Sequence, residues 1–264
     1  MILAIPFPAL DPVAFEVGPI SIRWYALAYI VGLILGWRYL RVTTSWVPRI
    51  LDVKSVDDFL LWATFGIIFG GRLGYVLFYK PLYFLENPAE IVAIWRGGMS
   101  FHGGLLGMVL VIALFAHIRR IPILALADRV ACVVPIGLFF GRIANFINGE
   151  LFGRPSDASW AIIFPSGGSS SRHPSQLYEA VLEGVILFVL LWLLSRSERF
   201  RTRFGFLTGV FLCGYAIFRS AAELFREPDA HIGFLAGGVT MGQILSLPLF
   251  LTGLVLLARR RRSS

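Results

Sequence analysis

The sequence predicts an all-α, polytopic membrane protein with about seven transmembrane helices. Three observations carry that prediction. Of the 264 residues, 57% are apolar and only 15% are charged, where a soluble domain carries roughly 25% charged residues. The 23 Phe, 7 Trp and 27 Gly, with a positive mean hydropathy, point the same way. The apolar residues also fall into runs close to the ~20 residues that a helix needs to cross the hydrocarbon core. Those runs are too long, and alternate too weakly, for the strands of a transmembrane barrel. This balance excludes a disordered chain, a collagen and, with two cysteines, a disulfide scaffold. It also argues against a soluble α/β enzyme, whose apolar runs are short and interrupted. The chain is read as one integral membrane domain over 1–264, with short outer loops and a basic cytoplasmic tail.

The runs place spans at about 20–40, 59–79, 100–118, 123–147, 177–194, 204–224 and 239–258. The first twenty residues hold four Pro and no Lys or Arg, unlike the basic start and continuous apolar region of a secretory signal. Cys132 and Cys213 lie inside apolar runs and read as small buried hydrophobes. Small-xxx-small spacings at Gly32/Gly36, Gly66/Gly70/Gly74, Gly103/Gly107 and Gly137/Gly141 fit close helix approach. No internal repeat supports an inverted-repeat transporter.

Lys and Arg set the orientation. With the N-terminus outside, the cytoplasmic side holds fifteen of the 24 basic residues, among them Arg119, Arg120, Arg201 and Arg259 to Arg262, and the outer side holds six. The other three, Arg72, Arg142 and Arg219, lie within spans. Fifteen against six is a positive-inside bias, so the N-terminus is expected outside and the C-terminus in the cytoplasm. The net charge of +8 then reports topology, and no nucleic-acid partner is expected.

A charge inside a bilayer costs several kcal/mol and needs a reason. In this orientation Arg72, Arg142 and Arg219 lie five to seven residues from the outer ends of their spans. Tyr25 and His102 sit near the outer starts of theirs, and Glu150, Glu179, Glu183 and Glu223 flank the same ends. At 1.5 Å per residue all fall within roughly 10 Å of depth, which describes a polar site cut into the outer leaflet. Interfacial snorkelling is the plainer explanation for Arg72, but it suits the patterned groups less well. Arg142, Asn145 and Asn148 share one helix face, and Glu223 is spaced to brace both Arg219 and Arg226. Planar, bidentate guanidinium groups suit a phosphate, and at that depth the obvious phosphate is a lipid phosphodiester. No GxSxG elbow, HExxH motif, Walker loop or Rossmann fingerprint occurs, and the four His lack metal-ligand spacing. His102 stands out within MSFHGGLLG, at the depth of the arginines.

The motifs also carry a resemblance. GRIANFINGELFG (141–153) closely resembles the signature of the bacterial phosphatidylglycerol–prolipoprotein diacylglyceryl transferases. RWYALAY (23–29), GGRLGYVLFY (70–79), GGMSFHGG (97–104), RHPSQLYE (172–179), FRSAAELFREPD (218–229) and MGQILS (241–246) look like further family segments in family order. The segment FPSGGSSSR (164–172) is shorter than the outer loop of some members. The resemblance implies transfer of the sn-1,2-diacylglyceryl group of phosphatidylglycerol to the lipobox cysteine of a prolipoprotein signal peptide, with release of glycerol 1-phosphate. It implies a bacterial inner-membrane enzyme that needs no metal and no cofactor. It further implies that Arg142 and Arg219 clamp the phosphate, with Arg72 near the headgroup. Asn145, Glu150 and Gly153 would shape the headgroup pocket, although Gly153 also reads as a turn residue ending its helix. Glu223 and Arg226 would complete the arginine network, and Tyr25 would hydrogen-bond the headgroup or a neighbour of the thiol. His102 is the base candidate, since imidazole titrates nearest neutrality; an arginine-paired Glu or an electrostatically favoured thiolate are the alternatives. The competing readings are a lipid or anion transporter and a structural subunit. Both sit less well with charges confined to one depth and an apolar inner half.

Overall fold

The structure, a computed structural model, describes residues 5–8, 10–18, 20–228, 233, 235 and 238–259. Asp229, His231 and Arg260, Arg261 and Arg262 of the basic tail lie outside the described residues. By contacts the chain forms two compact units, Met1–Tyr39 with Asp128–Ser264, and Leu40–Ala127.

In chain order, β1 (Ile5–Pro6), β2 (Val13–Val17) and β3 (Ile20–Arg23) precede α1 (Trp24–Thr43). β2 and β3 form an antiparallel hairpin turned at Gly18, whose φ of 59° suits glycine. The first expected span therefore begins four residues late, because 20–23 alternate as a strand before the apolar helix starts. Next come α2 (Val53–Phe78), α3 (Pro81–Glu86), two 3₁₀ turns at Pro88–Val92 and Ile94–Arg96, and α4 (Phe101–Ile118). Then follow α5 (Ile123–Ala131), α6 (Val134–Ile147), β4 (Ile162–Ile163) and α7 (Ser175–Glu179). α7 runs into a π-helical segment, Ala180–Ile186, and on into α8 (Leu187–Arg196); α9 (Glu198–Arg201), α10 (Phe206–Ala222) and α11 (Met241–Ala258) complete the chain.

Among the described residues, six helical stretches are long and apolar enough to cross a membrane: Trp24–Thr43, Val53–Phe78, Phe101–Ile118, Ile123–Ile147, Ser175–Arg196 and Met241–Ala258. The remaining expected span, 204–224, is a shorter apolar helix of 17 residues, Phe206–Ala222. The protein is a multi-pass helical membrane protein. Its fourth span is not one continuous helix: the α-helical pattern breaks at Cys132 and Val133, just before Pro135, which lacks an N–H to continue it.

In the unit of residues 40–127, α2 and α4 pack through the predicted glycines. A Cβ on Gly70 would stand 2.8 Å from the Cα of Gly107, and one on Gly74 would stand 2.7 Å from that of Gly103. Neither position admits a side chain without parting the helices. Asp52 caps α2 by accepting a hydrogen bond from Ser55 N at 2.8 Å, and hydrogen bonding by the Ser55 side chain and backbone holds its carboxyl below the usual range.

In the other unit, α1 meets α6 at Gly32, where an added Cβ would lie 3.3 Å from the Cα of Gly137; a Cβ on Gly137 itself would meet nothing within 4 Å. Gly141 makes no such approach. Leu187, Leu191, Leu207 and Cys132 form a buried cluster, and both cysteines are free and buried, as their apolar surroundings predict. α10 is short because it is capped from outside itself. Gly205 takes φ 93° at its N-terminus. The buried Asp128 carboxylate accepts from Gly205 N (2.8 Å), Thr208 N (2.7 Å) and Thr208 Oγ1 (2.7 Å). Asp128→Ala should strip the α10 terminus of three hydrogen bonds and destabilise the protein by about 2 kcal/mol or more. Thermal unfolding in detergent measures this, and an unchanged midpoint would show that the cap is not needed.

Candidate active site

The site is built in the unit that contains α6, α7 and α10. The π segment sets it up. A Cβ on Gly184 would come 2.7 Å from Phe139 Cβ and 3.0 Å from its Cα, so α6 lies hard against this segment. Arg142, one turn beyond Phe139, then meets Glu179 and Glu183 on the opposing helix. π-helical turns are rare and occur often at functional sites.

Arg142 Nη2 lies 2.8 Å from Glu179 Oε2 and 3.5 Å from Glu183 Oε2. Arg219 Nη1 is ion-paired with the same Glu179 oxygen and stands 3.8 Å from Glu183 Oε1, while its Nη2 reaches Glu223. Arg226 contributes Nη1 at 3.4 Å from Glu179 Oε1 and Nε at 3.8 Å from Glu223 Oε1. Three guanidinium groups thus enclose three carboxylates. Glu223 braces both arginines, as its spacing predicted. The exposures show which sign faces out: Glu179 and Glu183 are fully buried, whereas Arg142 and Arg219 keep 17% and 13% of their side-chain surface. Arg142 pairs only through Nη2, and Arg219 only through Nη1 and Nη2. Nε and Nη1 of Arg142 and Nε of Arg219 therefore have no acceptor among the described residues. Buried ion pairs contribute little net stability once desolvation is counted. Packing alone is thus a poor reason to place six charges in one membrane protein core.

A second group of residues lies at the end of α6. Asn145 Nδ2 donates to Glu150 Oε1 at 2.8 Å, Asn148 Nδ2 to the same oxygen at 3.3 Å, and Gln176 Nε2 to the Glu150 carbonyl at 2.6 Å. The glycine that ends α6 is Gly149, with φ 62°. Gly153, for which sequence left a turn role open, serves instead as a backbone crossing. Its N–H donates to His173 O at 2.8 Å, and it bridges to Arg226. Arg154 donates Nε to Arg226 O (3.0 Å) and Nη2 to Glu223 O (3.0 Å), tying this loop to the end of α10. Arg172 donates to Gly167 O at 2.9 Å and Gly153 O at 3.3 Å and pairs with Glu227. Burial lowers the His173 imidazole below its ordinary range. Tyr25, at the start of α1, packs on Tyr29 with ring centroids 5.2 Å apart.

Two candidates fall in the other unit. Arg72 is buried and directs its donors to carbonyls: Nε to Ile91 (2.8 Å), Nη1 to Gly97 (2.5 Å) and Gly98 (3.1 Å), and Nη2 to Glu90 (2.6 Å). It organises the turns before α4. His102 lies exposed in the first turn of α4, behind the Ser100 cap, which accepts from Gly103 N at 3.2 Å. An apolar groove of about 600 Å³ also lies in this unit, lined by Trp62, Phe65, Phe69 and Leu110. Few polar groups converge there, so the buried charges of the other unit, not the groove, mark the candidate centre. Sequence reasoning placed Glu179 and Glu183 only as carboxylates flanking a span; their i, i+4 spacing opposite Arg142 was the available signal.

Fold and site together define a multi-pass membrane protein with a buried arginine–carboxylate centre suited to an anionic group. The prolipoprotein diacylglyceryl transferase family matches this chain over residues 12–259. The phosphatidylglycerol–prolipoprotein diacylglyceryl transferase of Paramagnetospirillum magneticum is 59% identical over 98% of this chain and 96% of its own length. That of Rhodospirillum rubrum is 58% identical over 100% and 97%, and that of Azospirillum brasilense 55% identical over 98% of each chain. The chain belongs to the prolipoprotein diacylglyceryl transferase family.

Proposed function

We infer that the protein transfers the sn-1,2-diacylglyceryl group of phosphatidylglycerol to the lipobox cysteine of prolipoproteins, the first step of lipoprotein maturation. The sulfur attacks the glyceryl carbon, a C–S bond forms and the C–O bond to phosphate breaks. The electron pair leaves on glycerol 1-phosphate. The observation that carries the phosphate part of this reading is the set of unused guanidinium donors on Arg142 and Arg219, held in place by fully buried carboxylates. Such preorganised donors stabilise charge as it develops on a leaving phosphate. Asn145, Glu150 and Gly153 shape the headgroup pocket beside them. Glu223 and Arg226 hold Arg219 in register, and Tyr25 binds near the headgroup. Arg72, on α2, orders the turns before α4 through the carbonyls it binds, and membrane lipid supplies the substrate.

Reconstituted protein given labelled phosphatidylglycerol and a lipobox peptide should yield a lipid-linked peptide, and none when Ser replaces the peptide's cysteine. Lipid or ion flux without a covalent product would favour a transporter instead.

We place the protein in the bacterial inner membrane with its site toward the outer leaflet, on the strength of the fifteen-to-six charge bias. A cysteine at Ser170 should react with a membrane-impermeant thiol reagent in intact cells, and one at Ser263 should not. The opposite pattern would reverse the topology.

His102 is the proposed proton acceptor for the thiol. As a base it must be neutral to accept the thiol proton. His102→Gln should cost about 10²-fold in rate while the protein stays folded. Turnover within a few-fold of the parent, with the same pH profile, would reassign His102 to positioning. Glu150 or an arginine-stabilised thiolate would then be the acceptor.

A further inference from the structure

Glu183 is anomalous within the centre. It is fully buried, yet neither carboxylate oxygen makes a hydrogen bond among the described residues. Its nearest guanidinium nitrogens stand 3.5 Å and 3.8 Å away, and both already serve Glu179 more closely. The charged and titratable groups that face it are Arg142 from α6, Glu179 from its own helix, and Tyr215 and Arg219 from α10. Glu223 and Arg226 are joined to these through the ion pairs of Arg219 and Glu179. The three arginines and three glutamates therefore sum to zero charge, with Glu183 the least well-held anion.

A neutral, desolvated cluster has no spare positive charge for a phosphodiester. If the phosphate monoanion enters on the free donors of Arg142 and Arg219, the same three cations face four anions. A buried anion without hydrogen bonds is then the most costly member to keep ionised. Resting on the phosphate reading above, we propose that phosphatidylglycerol binding at this centre is coupled to the uptake of one proton by Glu183. The proton comes from hydronium or buffer acid in the bulk solvent, whose bond to it breaks as the carboxyl O–H forms; the donor's conjugate base stays in solution, and the neutral acid restores zero charge to the centre. The proton is returned when the phosphate leaves. Glu179, which pairs with all three arginines, and Glu223, which pairs with two, remain ionised and keep the clamp in place.

The test uses the full-length protein in phosphatidylcholine nanodiscs, titrated with phosphatidylglycerol in weak buffer containing a pH indicator. About one proton should be taken up per phosphatidylglycerol bound. Affinity should tighten by up to about tenfold per unit fall in pH across the linked range. A carboxylic-acid carbonyl stretch should appear in the infrared difference spectrum on binding. Glu183→Gln, already neutral, should bind the lipid with no proton uptake, no new infrared band and a flat pH dependence. Binding by the parent without proton uptake overturns the coupling and leaves the phosphate site standing. Uptake that persists in Glu183→Gln overturns the assignment to Glu183. Failure of phosphatidylglycerol to compete with phosphatidylcholine at all sinks the phosphate site, and the coupling with it. Should Glu183→Gln not fold, the parent's proton count and infrared band still decide.

Discussion

Alanine in place of Arg142 or Arg219 is expected to lower the transfer rate by about 10²–10³-fold, the cost of losing one preorganised donor group at a developing oxyanion. Each arginine does two things. Its paired nitrogens neutralise Glu179, and its unpaired ones are the donors proposed to receive the phosphate. Removal also takes one of three cationic partners from the fully buried Glu179, leaving two, so the stability cost should fall below the about 3–5 kcal/mol of a buried pair broken outright. Turnover of detergent-purified variants must accordingly be measured beside their thermal midpoints. Lysine should rescue poorly, because a point charge cannot pair with Glu179 and present a planar fork to phosphate together. Full activity of Arg142→Lys would show that charge alone suffices there.

Gly153→Ala should be nearly as damaging, although it removes no charge. Its Cβ would lie 2.5 Å from Phe225 O, 2.7 Å from His173 Cβ and 2.7 Å from His173 O. Two of those three atoms are backbone and have no rotamer to yield. Overpacking of this kind costs about 1–3 kcal/mol or more. Relief would have to part the 153–226 bridge, which carries Arg226 and the carbonyl of Glu223. The expected result is a folded but strongly impaired enzyme, or one lost from the membrane fraction; activity near that of the parent would mean the loop has room that its geometry denies. Gly149→Ala, strained only through its positive φ, should cost about 1 kcal/mol and spare much of the rate.

The membrane spans were legible because the bilayer imposes a length and a polarity that sequence displays directly. Local chemistry moved their edges. The alternation of 20–23 made a strand where hydropathy saw helix, and Pro135 broke a run that hydropathy reads as one span. α10 proved the short one because its start is fixed by Asp128, a residue 77 positions from Gly205, and no local pattern reports such a cap. In the site, Arg219, Glu223 and Arg226 were readable as a unit because helical spacing joins them. The partners of Arg142 were not, since Glu179 and Glu183 come from another helix, through a π segment that no propensity announces. Arg72 shows the converse. An arginine at the expected depth proved to be occupied by four backbone carbonyls, and sequence does not display where loop carbonyls point.

The central claim is that the free donors of Arg142 and Arg219 receive the phosphate of phosphatidylglycerol. An experimental structure of the protein in nanodiscs containing phosphatidylglycerol tests it most directly. The account predicts phosphate oxygens within hydrogen-bonding distance, about 2.7–2.9 Å, of guanidinium nitrogens of both arginines, with Glu179 still paired beneath them. A phosphatidylglycerol bound with its phosphate elsewhere, while Arg142 and Arg219 contact only Glu179, Glu183 and Glu223, would contradict it.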